Sequence, residues 1–247
     1  MNDKRFSLYI DTVLNFIYPR NIYCILCGKS IEKTEKYSLC NACREKIKFI
    51  DDHSCEKCGK PLAELYFQSK CPDCIKTNHA YTKGFSCVEY DDYTKKLVHK
   101  LKYKNDRYLS YHMAEMMIEK LQKQGVEDID LIIPTPLHKK KERKRGFNQA
   151  YLLAKYIGKA MNLKVDRKSL IKAKETQSQN QLSKDERKNN LKDAFYVVSK
   201  DAFKDKKILI IDDVYTTGST MNACSEEILK AKPRGIFIMS FATGKNI

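Results

Sequence analysis

"ILIIDDVYTTGST", residues 208–220, decides the fold. Four branched apolar residues lead into two adjacent carboxylates, Asp212 and Asp213, and then into hydroxyls around Gly218. A short continuous apolar run of this kind fits a strand buried on both faces of a parallel sheet. In open parallel sheets, ligands bind beyond the carboxyl ends of the strands, so the two aspartates stand at a binding edge. Thr216, Thr217, Gly218, Ser219 and Thr220 then form a turn into a helix N-terminus. Free backbone N–H groups and the helix dipole attract phosphate there. A P-loop would need lysine after the glycine, but Ser219 follows Gly218, which disfavours a nucleoside triphosphatase. A bare Mg²⁺ site on the two carboxylates leaves the threonines unexplained. The plain alternative is a strand end with solvated aspartates before a capped helix.

The flanking sequence alternates strands and helices. "GFSCVEYDD" (84–92) reads as a strand, and "YTKKLVHKLKY" (93–103) places Leu97, Val98 and Leu101 on one helical face. A second helix spans 108–124, closed by Gly125, and "DLIIP" (130–134) is a short apolar strand. "FNQAYLLAKYIGKAMN" (147–162) is a helix and "LKVDRKSLIKA" (163–173) a strand. "AFYVV" (194–198) reads as another strand, with a helix over 219–231 and a closing strand "GIFIMSFAT" (235–243). This order predicts a parallel sheet flanked by helices, an α/β domain. The polar stretch 172–190 has neither period, and loops of that length in a compact domain are usually functional or disordered.

Before Tyr81 the composition differs. Eight of the ten cysteines form Cys24-x2-Cys27-x12-Cys40-x2-Cys43 and Cys55-x2-Cys58-x12-Cys71-x2-Cys74, the second frame 31 positions after the first. This internal duplication has the spacing of two closed tetrahedral zinc sites, structural because no ligand position stays open. One zinc per quartet is the economical pairing; a cross-braced arrangement sharing pairs between repeats stays open. Gly28 and Gly59, each after a second cysteine, suit the turn of the knuckle. Cys87 and Cys224 have no partner at metal spacing and read as small core residues. The expected division is therefore 1–80, an N-terminal helix and double zinc ribbon, and 81–247, the α/β domain.

The net charge of +16 favours polyanionic partners: nucleic acid, an anionic membrane face or phosphorylated small molecules. No apolar run reaches the length of a membrane span. The N-terminus is apolar on one helical face (Phe6, Tyr9, Ile10, Val13, Phe16, Ile17) and lacks a cleavage signal. It reads as a packing helix of a cytoplasmic protein, with peripheral membrane contact the weaker alternative.

"ILIIDDVYTTGST" resembles the phosphoribosyl-pyrophosphate (PRPP) signature of type I phosphoribosyltransferases. "IIPTPLHKKKERKRGFNQA" (132–150), "LKYKNDRYL" (101–109) and the pattern Thr176, Gln179, Leu182, Arg187, Asn190 narrow the resemblance to the ComF family of competence-associated proteins. That family places a double zinc ribbon before a type I phosphoribosyltransferase-like domain. The resemblance implies that Thr216 to Thr220 hold the 5′-phosphate and that Asp212 and Asp213 hold the ribose hydroxyls. It implies a pyrophosphate loop after strand "LIIP", with Thr135, Lys141 and Arg145 facing the diphosphate, and Mg²⁺ accompanying PRPP. Thr176, Gln179, Arg187 and Asn190 would belong to a flexible loop closing over the site. Lys141 and Lys172 stand where the family leads one to expect arginine, and lysine lacks the bidentate fork. Thr216 replaces the aspartate with which 6-oxopurine enzymes serve the base, and no C-terminal hood for recognising a base is expected after "SFATGKNI" (240–247).

Three functions stay open at this level. The first is a PRPP-binding protein that handles single-stranded DNA during natural transformation, with other competence proteins as partners. The second is an active phosphoribosyltransferase with an unidentified acceptor. The third is a zinc-ribbon adaptor with a vestigial site.

Overall fold

The computed structural model describes residues 21–32, 34–126, 128–176, 191 and 193–244. The expected N-terminal helix, and the loop residues Gln179, Arg187 and Asn190, lie outside these residues. The chain divides into two compact units, Met1–Ile47 and Lys48–Ile247.

The smaller unit carries the first cysteine frame. The Gly28 amide donates to the Cys24 carbonyl (2.8 Å), the Cys24 amide to Lys29 (2.7 Å), and the Arg44 amide to Cys40 (2.9 Å). A one-turn helix, α1 (Asn41–Arg44), opens directly after Cys40. The larger unit repeats this pattern 31 residues later: Gly59 to Cys55 (2.7 Å), Cys55 to Lys60 (2.8 Å) and Ile75 to Cys71 (3.0 Å), with α2 at Pro72–Lys76. The duplication seen in the cysteines is thus a duplication of backbone hydrogen bonds. Each quartet gathers within its own repeat, its four sulfurs within 4.8 Å of one another. Both glycines take positive φ, 77° and 74°. Gly59 has a second duty. A Cβ there would lie 2.7 Å from the Ser86 nitrogen and 2.8 Å from the Phe85 Cα, and a Cβ on Gly84 would reach the Cys58 Cα at 3.0 Å. The second knuckle therefore lies backbone-to-backbone on the next strand.

That strand, β1 (Lys83–Glu89), joins β2 (Leu131–Pro134), β3 (Lys164–Val165), β6 (Lys207–Tyr215) and β7 (Gly235–Thr243) in one sheet of order β1-β7-β6-β2-β3, parallel throughout. The apolar run 208–211 forms its centre, buried on both faces. Ile208 and Ile210, with Ile236 and Ile238, face a core that includes the second cysteine quartet, Tyr81 and Cys224. The helices are α3 (Asp92–Tyr103), α4 (Leu109–Lys123), α5 (Lys139–Arg145), α6 (Gln149–Met161) and α7 (Ser219–Leu229). Helix α3 begins at a capping box: Asp91 accepts from the Tyr93 and Thr94 amides, and the Thr94 hydroxyl oxygen accepts from the Asp91 amide.

Three expectations are corrected. "LKVDRKSLIKA" is not one strand. Asp166 accepts from the Lys168 and Ser169 amides (2.7 and 3.1 Å), and this side-chain turn breaks the run into β3 and β4 (Leu170–Lys172). "AFYVV" supplies β5 (Phe195–Val197), which pairs antiparallel with β4 in a separate two-stranded sheet. The basic run 139–145, expected within the pyrophosphate loop, winds into α5. Its seven lysine, arginine and glutamate residues are all good helix formers.

Candidate functional site

A cavity of about 190 Å³ opens at the carboxyl edge of the sheet, over the end of β6. Successive residues of a strand point to opposite faces, and the two aspartates divide accordingly. Asp213 turns toward α3 and α6. Its Oδ2 pairs with Lys102 Nζ at 2.5 Å, and its Oδ1 accepts from Gln149 Nε2 at 3.4 Å. Asp212 accepts the Asp213 amide at 2.9 Å and has no ion pair among the described residues.

This asymmetry sets their charges. Burial, reinforced by the neighbouring Asp213 charge, pushes Asp212 up to about 8. Burial also pushes Asp213 upward, but the Lys102 ammonium outweighs it and holds that carboxyl below its ordinary value. Lys102 is raised in turn, Asp213 prevailing over the desolvation of the amine. The pair is ionised, while Asp212 retains its proton near neutrality.

Cations converge on the same space. Lys141 is lowered by partial desolvation and by Arg145 and Lys102; Lys172 is lowered by burial and by Lys141. Four basic side chains (Lys102, Lys141, Arg145, Lys172) thus meet only two carboxyls around the cavity, one of them protonated. A multiply charged anion would relieve this repulsion.

Two flanks are shaped for such an anion. On one, Gly218 caps the N-terminus of α7 with φ 76° and no side chain to accept from the first-turn amides beside the cavity; the Ser219 amide makes only a long bond, 3.4 Å, to Thr217 Oγ1. A side chain at Gly218 would collide with the Tyr215 phenol. Thr217 and Ser219 bond each other through their hydroxyls (2.7 Å), which fixes the loop between them. On the other flank, the Thr135 amide donates to Ile211 (2.8 Å) and its carbonyl accepts from Asn148 Nδ2 (3.0 Å). Thr135 is 5% exposed, yet its hydroxyl has no partner among the described residues. An orphaned buried hydroxyl lining a cavity is a group in want of a ligand. Arg145 is oriented by its bond to Gln149 Oε1 and by lying over the Tyr103 ring at 5.4 Å.

The cavity therefore unites Asp212, Asp213, Thr216, Gly218, Ser219, Thr220, Thr135, Lys141, Arg145 and Thr176, and the adjoining Thr217 braces the loop. It adds Lys102, Gln149 and the exposed rings of Tyr90 and Tyr103, to which the sequence assigned no role. Lys102 had a signal. It stands four residues after the buried Val98 and beside Leu101, at the edge of the apolar face of α3, an expensive place for a cation without a partner. Cys87 and Cys224 are wholly buried, and burial raises both thiols, Cys87 to about 12, as core residues require. The two cysteine quartets have the donor chemistry and closure of structural zinc sites.

Residues 13–75 match the family model of the double zinc ribbon domain, and residues 143–245 that of the phosphoribosyl transferase domain. Competence protein F of Haemophilus influenzae is 29% identical over 88% of this chain and 94% of its own length. Competence protein ComFC of Bacillus subtilis is 25% identical over 89% and 93%. Over most of its length this chain is similar to both competence proteins. DNA utilization protein YhgH of Escherichia coli K12 is a further relative, 24% identical over 78% of this chain and 85% of its own. The phosphoribosyl transferase match holds Asp212, Asp213 and the Thr216–Thr220 loop, and the double zinc ribbon match holds both quartets.

Proposed function

We propose that this protein binds Mg²⁺–PRPP in the cavity over β6 and acts, with that ligand, in handling single-stranded DNA taken up during transformation. One observation carries the ligand reading: an acidic pair stands between two anion-seeking flanks, the uncapped N-terminus of α7 and the orphaned Thr135 hydroxyl with Lys141 and Arg145. A ribose carrying a phosphate at one end and a diphosphate at the other matches that order of charges. The α7 amides and the Thr216–Thr220 hydroxyls receive the 5′-phosphate. Asp212 and Asp213 accept from the ribose hydroxyls. Thr135, Lys141 and Arg145 face the diphosphate. Asp212, which has no ion pair among the described residues, is the carboxylate suited to Mg²⁺, and the ion would supply positive charge to the diphosphate. The DNA role rests on the names of the relatives, on the excess of basic residues, and on the exposed lysines and arginines of α3 and α5. No helix among the described residues is long and apolar enough to cross a membrane, and a cytoplasmic setting suits the reading.

Calorimetric titration with Mg²⁺–PRPP tests the ligand, using wild type and Asp212→Ala/Asp213→Ala; a wild type that evolves no binding heat sinks the site assignment. For the DNA role, affinity for single-stranded oligonucleotides is measured against salt, and a flat dependence removes its electrostatic basis. A second reading is transfer of the ribosyl phosphate to an acceptor. The exposed Tyr90 and Tyr103 rings beside the cavity favour it, since they offer a planar acceptor a stacking surface. Pyrophosphate release with a panel of planar acceptors separates binding from turnover.

A further inference from the structure

The phosphate loop is supported from below by the second ribbon. Tyr215, the residue before the loop, is 3% exposed, and its ring fills the space behind Gly218. Its hydroxyl is 2.8 Å from that of Tyr81, which is 1% exposed and stacked on His79 at 5.0 Å. Burial raises both phenols, so each keeps its proton and the pair is a neutral hydrogen bond. One residue earlier, the Ala80 amide donates to Asn222 Oδ1 at 2.7 Å, in the first turn of α7. The zinc knuckles reach the same tyrosines. Lys57, between Cys55 and Cys58, donates to the Tyr81 carbonyl and stands over its ring at 5.2 Å. Lys60 lies 5.8 Å over the Tyr215 ring and pairs with Asp73, between Cys71 and Cys74, at 2.9 Å.

We propose that the second ribbon positions the phosphate-binding loop, through Tyr81 on Tyr215 and Ala80 on Asn222, so that zinc in the Cys55–Cys58–Cys71–Cys74 site holds the loop ready for its ligand. The inference rests on the phosphate-loop reading above and gives this zinc site a duty beyond local folding. Knuckles of this size have no core of their own and take their order from the metal. Losing the metal would free Lys57, Lys60 and Asp73, and with them the hold on both tyrosines. Tyr81 and Tyr215 are positioning residues on this view, neither touching the phosphate.

Amide hydrogen exchange on the full zinc-loaded chain, without ligand, tests this for wild type, Tyr81→Phe and Cys58→Ser. Tyr81→Phe leaves the Tyr215 hydroxyl buried without its partner. It should speed exchange across 215–222 on the order of tenfold while α6 keeps its protection. Cys58→Ser, with loss of zinc confirmed by metal analysis, should do the same or more. In titrations with Mg²⁺–PRPP, Tyr81→Phe should bind roughly tenfold more weakly. Unchanged exchange across 215–222 in Tyr81→Phe overturns the proposal. So does exchange accelerated equally in α6, which would mean general destabilisation. So does a loop that stays protected after zinc leaves the Cys58→Ser protein. If wild type ignores PRPP but the exchange pattern is as expected, the ligand reading fails and the brace stands.

Discussion

Replacing Lys102 by methionine keeps the length of the side chain and removes its charge, leaving Asp213 buried beside Asp212 with only Gln149 against it. The ion pair is 2.5 Å long, with side chains 20% and 3% exposed. Removing one partner of a buried pair costs about 3–5 kcal/mol; the partial exposure of Lys102 and the remaining Gln149 bond place this case near 3. The pH dependence has a definite sign. Asp213 is held below its ordinary pKa, so its contribution is present above about pH 4 and is lost as pH falls through the lowered value. Lys102 is raised, so its share is complete below about pH 10 and lost only at higher pH. Urea denaturation of wild type and Lys102→Met should therefore differ by about 3 kcal/mol at pH 7, and the difference should shrink as pH falls below about 4. Lys102→Met/Asp213→Asn should recover most of the loss, because no charge is left stranded. A single variant that loses less than about 1 kcal/mol at pH 7, or whose loss does not shrink as acid is added, refutes the reasoning.

Asp212 is pushed up to about 8, so Mg²⁺–PRPP, which favours its carboxylate, should release up to about one proton at pH 7 and none well above pH 9. Binding heats measured in buffers of different ionisation enthalpy check this; heats independent of buffer contradict it. Thr135→Val removes an unpartnered buried hydroxyl, so melting should show unchanged or slightly raised stability, by up to about 1 kcal/mol, while affinity for PRPP falls. A variant destabilised by more than that would mean the hydroxyl is already satisfied. Gly218→Ala forces a side chain to φ 76° and against Tyr215; affinity should drop at least tenfold, for a strain of about 1–2 kcal/mol before the collision is counted. Wild-type titration curves for that variant would show that the loop is not held as described.

The central strand, the glycine turn into α7 and both cysteine quartets were legible because their signals are local. An apolar run, a glycine among hydroxyls and two fixed spacings each act over a few residues. Segments whose fate depends on partners were less so. Whether Leu170–Lys172 extends the parallel sheet or pairs with Phe195–Val197 turns on one Asx turn at Asp166. The same holds within the site. Asp212 and Asp213 look equivalent in sequence, and the difference in their charge comes from Lys102, 111 positions before Asp213 in the chain. Nor could cysteine spacing show that Tyr81 meets Tyr215, since that contact spans 134 positions.

Gly59 and Gly84 lie in different sequence motifs, yet neither has room for a methyl group: one on Gly59 would meet the backbone of Gly84, Phe85 and Ser86, and one on Gly84 would meet Ile238 and the Cys58 Cα. The second ribbon is therefore not an interchangeable cartridge. A graft bringing a foreign four-cysteine knuckle onto this sheet would fail unless both positions stayed bare, and an alanine at one could not be rescued by any choice at the other. Sequence drift in the ribbon is coupled to that in β1 by contact rather than by shared chemistry.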